Sequence, residues 1–272
     1  MLKQRVLAAS VLVPGFLLAL FYASPTVWMG LMGIVTLLAA WEWARIAGFV
    51  TLGRWGYTLL VAVLLNAYYF FGIETVPQAL IWSTVLVFWL ALVPLWLGRH
   101  WMLRQRFLLA CAGLVLLLPT WLAFVALRDK SVWLLLFLMV FVWVADIAAY
   151  VFGRTFGKHK LAPRISPGKT WEGAAGALLC GVLYTLLCQA LAPETLAPFH
   201  GFTTLGLVWM ALLMVVISIL GDLFESHMKR SAGLKDSGNL IPGHGGILDR
   251  IDSQTSVLPV AAAWLYFSSW II

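Results

Sequence analysis

The sequence predicts an all-α, polytopic integral membrane protein that crosses the bilayer about nine times, with its N-terminus in the cytoplasm. Its 272 residues are 62% hydrophobic and 11% charged, and the mean hydropathy of +0.95 lies far above that of a soluble domain. Apolar runs of about 20 residues are long enough to cross a hydrocarbon core of about 30 Å as helices. Helices are predicted because backbone amides in lipid must be satisfied within their own segment.

Nine apolar runs are separated by polar loops. In order, they cover residues 6–23, 26–44, 57–72, 79–97, 107–127, 132–152, 172–192, 205–225 and 254–271. The third and the ninth are the shortest. The first run follows Lys3 and Arg5 and ends in FYASP, which also fits a cleaved signal peptide. A first transmembrane span is favoured over a signal peptide, because the later apolar runs need a segment that starts their insertion into the membrane.

The distribution of basic residues predicts the orientation. With nine spans and a cytoplasmic N-terminus, sixteen of the 18 basic residues fall on the cytoplasmic side, and only Arg128 and Lys130 fall outside. This bias follows the positive-inside rule, and it supports an odd span count because losing one span would scramble the alternation. The net charge of +7 is therefore explained by topology and contact with anionic membrane lipids, and no nucleic-acid partner is expected.

The acidic residues divide the chain into two parts. Residues 1–130, with about five helices, carry few acids, whereas residues 131–272, with about four helices, carry most of them. Seven of the 11 acids lie at the end of the sixth run or in the loops 153–173 and 221–253, both assigned to the cytoplasmic side. The C-terminal part is therefore predicted to carry a cytoplasm-facing site. The three cysteines lie inside apolar runs without metal-type spacing and are typical of packing residues.

The stretch GDLFESHMKR, at the end of the eighth run, places five polar residues on one helix face. They are Asp222, Glu225, Ser226, Lys229 and Arg230. Intrahelical ion pairs would explain this spacing. Asp222, however, directly follows an apolar run, where a carboxylate is costly unless it is paired or bound to a metal.

The stretch KDSGNLIPGHGGILDRID, residues 235–252, contains four glycines and a proline that exclude a regular helix and let the backbone approach a ligand. Backbone amides in such a turn bind phosphate oxygens. Asp249 and Asp252 precede the last run, where either could cap a helix, Asp252 more readily. Asp222 and Asp249 fall at the cytoplasmic ends of neighbouring helices. Two carboxylates meeting there would bind Mg²⁺ together with substrate phosphates and water.

The third polar stretch spans residues 144–173. Asp146 lies inside an apolar run, which favours a functional role over a structural one. Five bases follow, the last of them Lys169 within SPGKT at the start of the seventh run. A nucleotide P-loop is excluded because Pro163 stands where a glycine is needed and because we expect no preceding strand. A basic, hydroxyl-rich helix start remains, suited to a phosphate group and with Glu172 as its cap.

The run from Ser226 to Asp252 resembles the motif of phosphatidate cytidylyltransferases, also called CDP-diglyceride synthases. The family pattern is Ser-x-x-Lys-Arg, four residues, Lys-Asp, then Pro-x-His-Gly-Gly, two residues, Asp-Arg, one residue and Asp. The matching residues are Ser226, Lys229, Arg230, Lys235, Asp236, Pro242, His244, Gly245, Gly246, Asp249, Arg250 and Asp252. SPGKTWEG is also typical of the family. The match is specific because all the spacings are intact over 27 residues.

The resemblance implies transfer of CMP from CTP to phosphatidate, which gives CDP-diacylglycerol and pyrophosphate in phospholipid biosynthesis. It implies Mg²⁺ held by Asp222 and Asp249, with Asp146 as a further ligand or support and a second cation such as K⁺ as an option. The bases predicted to neutralise phosphates are Lys229, Arg230, Lys235 and Arg250. The predicted substrate-binding residues are Ser166, Lys169 and Thr170 for the phosphatidate headgroup, together with Ser226 and the loop Gly243, His244, Gly245 and Gly246 for the nucleotide.

Three alternatives were weighed against this interpretation. A transporter also carries intramembrane acids, but the polar groups lie on one side of the membrane and no inverted repeat is evident. A CDP-alcohol phosphotransferase would carry an Asp-Gly-x-x-Ala-Arg pattern, which this sequence lacks. A non-catalytic scaffold would not need so many motif-spaced acids. A bacterial inner-membrane enzyme is therefore predicted. A homodimer is compatible with the sequence, which identifies no interface for it.

Overall fold

The computed structural model describes residues 2–71, 77–191, 203–240 and 245–268, so the predicted site residues Gly243 and His244 lie outside the described residues. Helices form nearly all of the described chain. They are α1 (Leu2–Tyr22), α2 (Pro25–Ile46), α3 (Thr51–Phe71), α4 (Gln78–Val87), a π-helical segment (Phe88–Leu92), α5 (Val93–Gly98), α6 (Arg106–Lys130), α7 (Val132–Phe156), α8 (Trp171–Leu191), α9 (Thr204–Ser231), α10 (Leu248–Ile251) and α11 (Gln254–Ser268). Two short strands, β1 (Lys160–Ala162) and β2 (Ser166–Thr170), lie between α7 and α8.

The predicted all-α membrane fold is confirmed. Among the described residues, six helical segments are long and apolar enough to cross a bilayer, namely α2, the continuous rod of α4, π-segment and α5, and helices α6 to α9. A helix also lies at each of the other three predicted runs, but α1, α3 and α11 are not in this group. The count of nine spans and the cytoplasmic N-terminus therefore stay predictions.

Helix α11 lies at the centre of the bundle. Its residues Gln254–Ala263 are all buried, and it packs against α4, α6 and α9. Pro259 cannot donate a hydrogen bond to the carbonyl of Thr255, four residues earlier. The hydroxyl of Thr120 on α6 donates to that carbonyl instead, at 3.3 Å, and the hydroxyl of Ser256 donates to a carbonyl of α9 at 2.9 Å. These bonds fix the start of α11 against both neighbours.

Helices α7 and α8 form the most extensive contact of the fold, and glycines allow their close approach. A Cβ added to Gly173 on α8 would lie 2.6 Å from the carbonyl oxygen of Ala149 and 3.3 Å from the Cα of Gly153, both on α7. Small residues at such an interface allow two helix backbones to approach closely within a membrane. The close contact brings the end of α7 and the start of α8 to the same place.

A β-hairpin joins α7 to α8. Strands β1 and β2 pair antiparallel, with Lys160 opposite Thr170 and Ala162 opposite Ser166. We expected no strand before the GKT sequence, and this expectation was wrong. The strand does not restore a P-loop, because GKT lies within β2 itself and Pro163 still replaces the required glycine.

The cap of α8 also differs from the prediction. The hydroxyl of Thr170 accepts a hydrogen bond from the backbone N–H of Gly173 at 3.1 Å, so Thr170 caps this helix. Glu172, which was expected to be the cap, pairs with His159, whose Nδ1 lies 2.7 Å from its Oε1. The Thr170 cap and the Glu172–His159 pair thus fix the hairpin to the start of α8.

The π-helical segment is explained by Pro94. Proline has no backbone N–H, so the regular bond to the carbonyl of Leu90 cannot form, and the N–H of Val93 bonds to the carbonyl of Phe88 five residues earlier. This part of the rod packs on Phe224 of α9. The aromatic rings around Phe224 belong to Trp43, Phe88, Trp89 and Trp96. They fix the half of α9 that carries the polar motif.

Candidate active site

The predicted site residues gather at one end of the helix bundle. The end of α2, the hairpin, the end of α9 and the short helix α10 approach one another there. Lys169 of β2 lies 2.5 Å from Asp222 of α9, and Arg45 of α2 donates to the carbonyl of Ser237 at 3.3 Å. These are the segments that the charge pattern assigned to a single side of the membrane.

A cavity of about 730 Å³ lies between α7, α8, α9 and the start of α10. Its charged lining residues are Asp146, Arg154, Lys169, Asp222, Asp249, Arg250 and Asp252. Its apolar lining includes Trp143, Ala145, Ala149, Ala174, Ala177 and Ile219. A cavity with a charged part and an apolar part suits a ligand that has both characters.

Asp222 is held by two neighbours. The Nζ of Lys169 lies 2.5 Å from its Oδ2, and the hydroxyl of Ser226 donates to its Oδ1 at 3.2 Å. Lys169 was predicted to bind a lipid headgroup, and the structure places it in the cavity beside a predicted metal ligand. From this position its ammonium group compensates the carboxylate and also lies within reach of an anion in the cavity.

Asp249 receives hydrogen bonds from three donor groups. The ammonium of Lys229 donates at 2.6 Å, the N–H of Ser237 at 3.2 and 3.0 Å to the two oxygens, and the N–H of Gly246 at 2.8 Å. Burial raises the pKa of the Asp249 carboxyl, but the bonds from Lys229 and Gly246 outweigh it, so the pKa lies below its usual range. The side chain is therefore ionised and fixed in orientation.

Lys229 supports this carboxylate and does not face the cavity. It is buried, and its ammonium lies 2.6 Å from Asp249 and 3.3 Å from Glu225. It is not among the lining residues, although the sequence predicted that it would neutralise substrate phosphates. The geometry favours a role in holding Asp249.

Several other predicted residues are also outside the cavity lining. Arg230 and Lys235 are exposed at and beyond the end of α9, and Ser166 lies in the hairpin away from the lining. Thr170 does line the cavity, but its hydroxyl caps α8. Arg250 lines the cavity and is exposed, as a phosphate-binding base requires.

The described part of the glycine loop supports Asp249. Gly245 has a φ of 85°, a conformation that glycine adopts without strain. The next residue, Gly246, directs its N–H to Asp249. Both glycines are so close to side chains that an added Cβ would approach Asp249 at Gly245, or collide with Ser237 and Glu42 at Gly246.

Asp252, a motif residue for which helix capping was the alternative role, is a fourth carboxylate of the cavity. Among the residues that the structure describes, its side chain accepts the N–H of the next residue, Ser253, at 2.8 Å. Burial, and to a smaller extent the charge of Asp222, raises the pKa of Asp252 to about 7. The aspartates are therefore close enough to repel one another.

The residues present fit a magnesium ion that is completed by a substrate. Within the described residues, no three Asp, Glu, His or Cys side chains converge to form a metal centre by themselves. Mg²⁺ is commonly bound by one or two carboxylates, with substrate phosphates and water as its other ligands. Asp222 and Asp249 supply two carboxylates on the wall of one cavity.

Glu42 is the residue that the sequence analysis missed. It lies at the end of α2 and is only 2% exposed. Its carboxylate accepts from the hydroxyl of Ser237 at 2.8 Å, the N–H of Ile247 at 3.0 Å and the N–H of Leu248 at 2.9 Å. It thus anchors both ends of the loop that presents Asp249. An acid inside an apolar run was the available signal, the same one that drew attention to Asp146.

The comparisons with known proteins agree with this site. Residues 3–268 match the model of the cytidylyltransferase family. The chain belongs to this family. It is 42% identical to the phosphatidate cytidylyltransferase of Pseudomonas aeruginosa over 99% of both chains. It is 35% identical to that of Haemophilus influenzae over 98% of this chain and 99% of the relative, and 46% identical to that of Staphylococcus epidermidis over 49% of each.

Membership of the cytidylyltransferase family confirms the resemblance drawn from the motif at Ser226–Asp252. The roles of single residues are a separate question, which these comparisons leave as predictions. In this cytidylyltransferase, the cavity adds Arg154 to the predicted bases. Its Nη1 donates to the hydroxyl of Tyr150 at 3.0 Å, one turn earlier on α7, so the two side chains form one polar edge of the cavity.

Proposed function

We propose that this protein transfers the cytidylyl group of CTP to phosphatidate, giving CDP-diacylglycerol and pyrophosphate. The observation that carries the proposal is the similarity, over nearly the whole chain, to relatives that are named phosphatidate cytidylyltransferase. The cavity is consistent with it, because one ligand would be a hydrophilic triphosphate and the other an anionic lipid.

The reaction needs positioning and charge compensation more than proton transfer. An oxygen of the phosphatidate monoester attacks the α-phosphorus of CTP, a new P–O bond forms, and the bond to the β-phosphate breaks so that pyrophosphate leaves with the electron pair. The monoester is already ionised near neutral pH, so no general base is required. Two anions must meet, and fixed positive groups at the site reduce their repulsion.

Asp222 and Asp249 would hold Mg²⁺, with Asp146 as a further ligand or support. When bound, Mg²⁺ compensates the charge of the triphosphate and of the leaving pyrophosphate. The support for this assignment is the ionised, oriented carboxylate of Asp249 and the shared cavity wall. A second cation such as K⁺ remains part of the proposal.

The substrates would contact the bases and the apolar wall of the cavity. Lys169, Arg154 and Arg250 line it and provide positive charge for phosphate groups. The alanine-rich surface contributed by α7 and α8 would lie along the glycerol and the first part of the acyl chains. We place the cavity at the cytoplasmic face of a bacterial inner membrane, where CTP is available.

The test is a transfer assay with the purified protein in phospholipid vesicles that contain phosphatidate, with labelled CTP and Mg²⁺. We expect label in the lipid fraction, and none without phosphatidate or with excess chelator. Asp249→Asn and Asp222→Asn should each lower kcat by about a hundredfold or more, because each removes a charge that the reaction uses.

Asp129→Asn is the matched control, since Asp129 is exposed at the end of α6. It should transfer at the wild-type rate. A well-folded wild-type protein that labels no lipid would contradict the proposed activity. Full activity in Asp249→Asn would contradict the metal assignment while leaving the reaction intact.

A further inference from the structure

A second polar pocket, of about 370 Å³, lies where α2 and the start of α3 meet residues 237–240. Its lining residues are Trp41, Glu42, Arg45, Arg54, Ser237, Gly238, Asn239 and Leu240. None of them lines the cavity of about 730 Å³ that contains Asp222 and Asp249. We call it the Arg45–Arg54 pocket, and the proposed transfer reaction does not use it.

Two partly buried guanidinium groups give this pocket its charge. Arg45 donates to the carbonyl of Ser237 at 3.3 Å, and Arg54 donates to the carbonyl of Phe49 at 3.0 Å. Within the described ranges, neither guanidinium forms an ion pair with a carboxylate. A guanidinium has five N–H donors, so one bond each leaves both arginines with donors for a ligand.

Glu42 lines the same pocket but, among the described residues, forms no ion pair with either arginine. Its oxygens accept from Ser237, Ile247 and Leu248, and this set of donors compensates the carboxylate where it is buried. The pocket therefore presents two cations beside a carboxylate whose lone pairs are already engaged.

An indole ring orients one of the cations. The guanidinium of Arg54 lies 5.9 Å from the ring centre of Trp41, and Trp41 in turn packs on Trp55 at 4.8 Å between ring centres. A cation–π contact of this kind holds the guanidinium near the ring and leaves its N–H groups able to donate to a ligand. The planar fork of such a group matches the oxygens of a phosphate.

We propose that the Arg45–Arg54 pocket binds a phosphate group, as a second anion site separate from the transfer site. The phosphate belongs either to the headgroup of an anionic lipid at the membrane surface or to a soluble phosphate compound. The recognising chemistry is the same in both cases: two guanidinium groups and the side-chain amide of Asn239, which lines the same pocket.

Ser237 couples this pocket to the transfer site. Its carbonyl accepts from Arg45 on the pocket side, and its N–H donates to Asp249 on the cavity side. A phosphate held by the remaining N–H groups of Arg45 shifts the guanidinium relative to the Ser237 carbonyl. Binding of a phosphate in the pocket therefore affects the hydrogen bonds of Asp249 through Ser237, and it alters the rate of transfer.

Binding is measured without CTP or phosphatidate, so that it is independent of the proposed activity. In one arm, labelled inorganic phosphate is dialysed to equilibrium against the protein in phosphatidylcholine nanodiscs. In the other arm, native mass spectrometry counts the phosphatidylglycerol molecules retained by the protein. Arg54→Gln should weaken binding at this pocket about tenfold, the usual scale of one charge-assisted hydrogen bond. Arg45→Gln with Arg54→Gln should remove one bound phosphate or lipid per protein and leave any anion held by Lys169, Arg154 and Arg250 in the transfer cavity.

Arg104→Gln is the control, because Arg104 is exposed in the loop before α6. It should bind like the wild type. Arg54→Lys, which keeps the charge but loses the fork, should weaken binding only a few-fold. The hydrogen bond of Arg54 is local, to Phe49, so we expect its single variants to fold. If the double variant does not fold, the binding measured for Arg54→Gln and Arg54→Lys tests the proposed site.

The arm in which binding is lost identifies the source of the phosphate. Loss in the phosphatidylglycerol arm assigns a lipid headgroup, and loss in the dialysis arm assigns a soluble compound. Wild-type binding by Arg54→Gln and by the double variant in both arms would overturn the proposal.

Discussion

At the scale of single residues, the acids of this protein differ in how their charge is compensated. Asp222 is compensated chiefly by Lys169. Asp249 has both Lys229 and backbone N–H groups. Within the described parts of the chain, Glu42 accepts from one hydroxyl and two backbone N–H groups. The first two line the cavity, whereas Glu42 lies outside its lining and accepts hydrogen bonds from the loop that carries Asp249.

Glu42 is therefore expected to act as a positioning residue, and Glu42→Gln tests this. A glutamine amide must place its NH₂ against the N–H of either Ile247 or Leu248, so one backbone donor loses its acceptor. Such a loss costs about 1–3 kcal/mol when the group is buried. We expect a lower thermal unfolding midpoint and a kcat about tenfold below the wild-type value, with a smaller change in the KM for CTP.

The same neutralising substitution at Asp129, an exposed acid at the far end of the bundle, should leave both the unfolding midpoint and kcat unchanged. If Glu42→Gln unfolds and transfers like the wild type, the hydrogen bonds to the loop do not position Asp249.

The motif identifies residues but does not show which way they point. The spacing of Asp222, Lys229 and Asp249 is readable from the sequence; in the structure Asp222 and Asp249 line one cavity, and Lys229 contacts Asp249. That Lys229 points to Asp249 was not predictable, because the path of the loop between α9 and α10 depends on Glu42, which is some 200 residues away in sequence. A single sequence contains no local signal for such a contact.

At the scale of elements, hydrophobic runs predict helices well because helical backbone is obligatory in lipid. Their ends are less predictable. The apolar run ends at residue 225, but α9 continues to Ser231, as the one-face spacing of Asp222, Glu225 and Lys229 indicates. The hairpin was missed because strands of three and five residues, one containing SPG, show no alternating pattern.

The contact between α7 and α8 provides a prediction at this scale. Gly173→Ala introduces a Cβ 2.6 Å from the carbonyl oxygen of Ala149, so the two helices must separate or shift. Both helices line the cavity, so we expect a lower thermal unfolding midpoint and a lower transfer rate. Differential scanning fluorimetry and the vesicle assay measure the two effects.

Gly30→Ala on α2 is the matched substitution, since a Cβ there has no other atom within 4 Å. Replacing a helical glycine in open space is expected to leave stability unchanged or raise it by about 0.5–1 kcal/mol. Equal effects of Gly173→Ala and Gly30→Ala would show that helix propensity, and not close packing, governs this part of the fold.

At the scale of the whole molecule, the basic residues and the contacts describe the same asymmetry. The hairpin, the end of α9 and the start of α10 meet at one end of the bundle, and nearly all lysines and arginines were assigned to that side. Lys130 lies where α6 ends and α7 begins, so the length of α7 separates it from the hairpin that follows α7. The bundle has therefore one polar, basic end, and the positive-inside rule predicts that this end faces the cytoplasm.

Accessibility to a membrane-impermeant maleimide tests this orientation. Arg164→Cys in the hairpin and Lys130→Cys are each made in a background without Cys111, Cys180 and Cys188. Both positions are exposed and neither belongs to the proposed site. In intact bacterial cells we expect labelling of Lys130→Cys alone, with Arg164→Cys reacting only after the membrane is permeabilised. Labelling of Arg164→Cys in intact cells would place the cavity on the outer side, where CTP cannot reach it, and would rule out the proposed reaction in its present form.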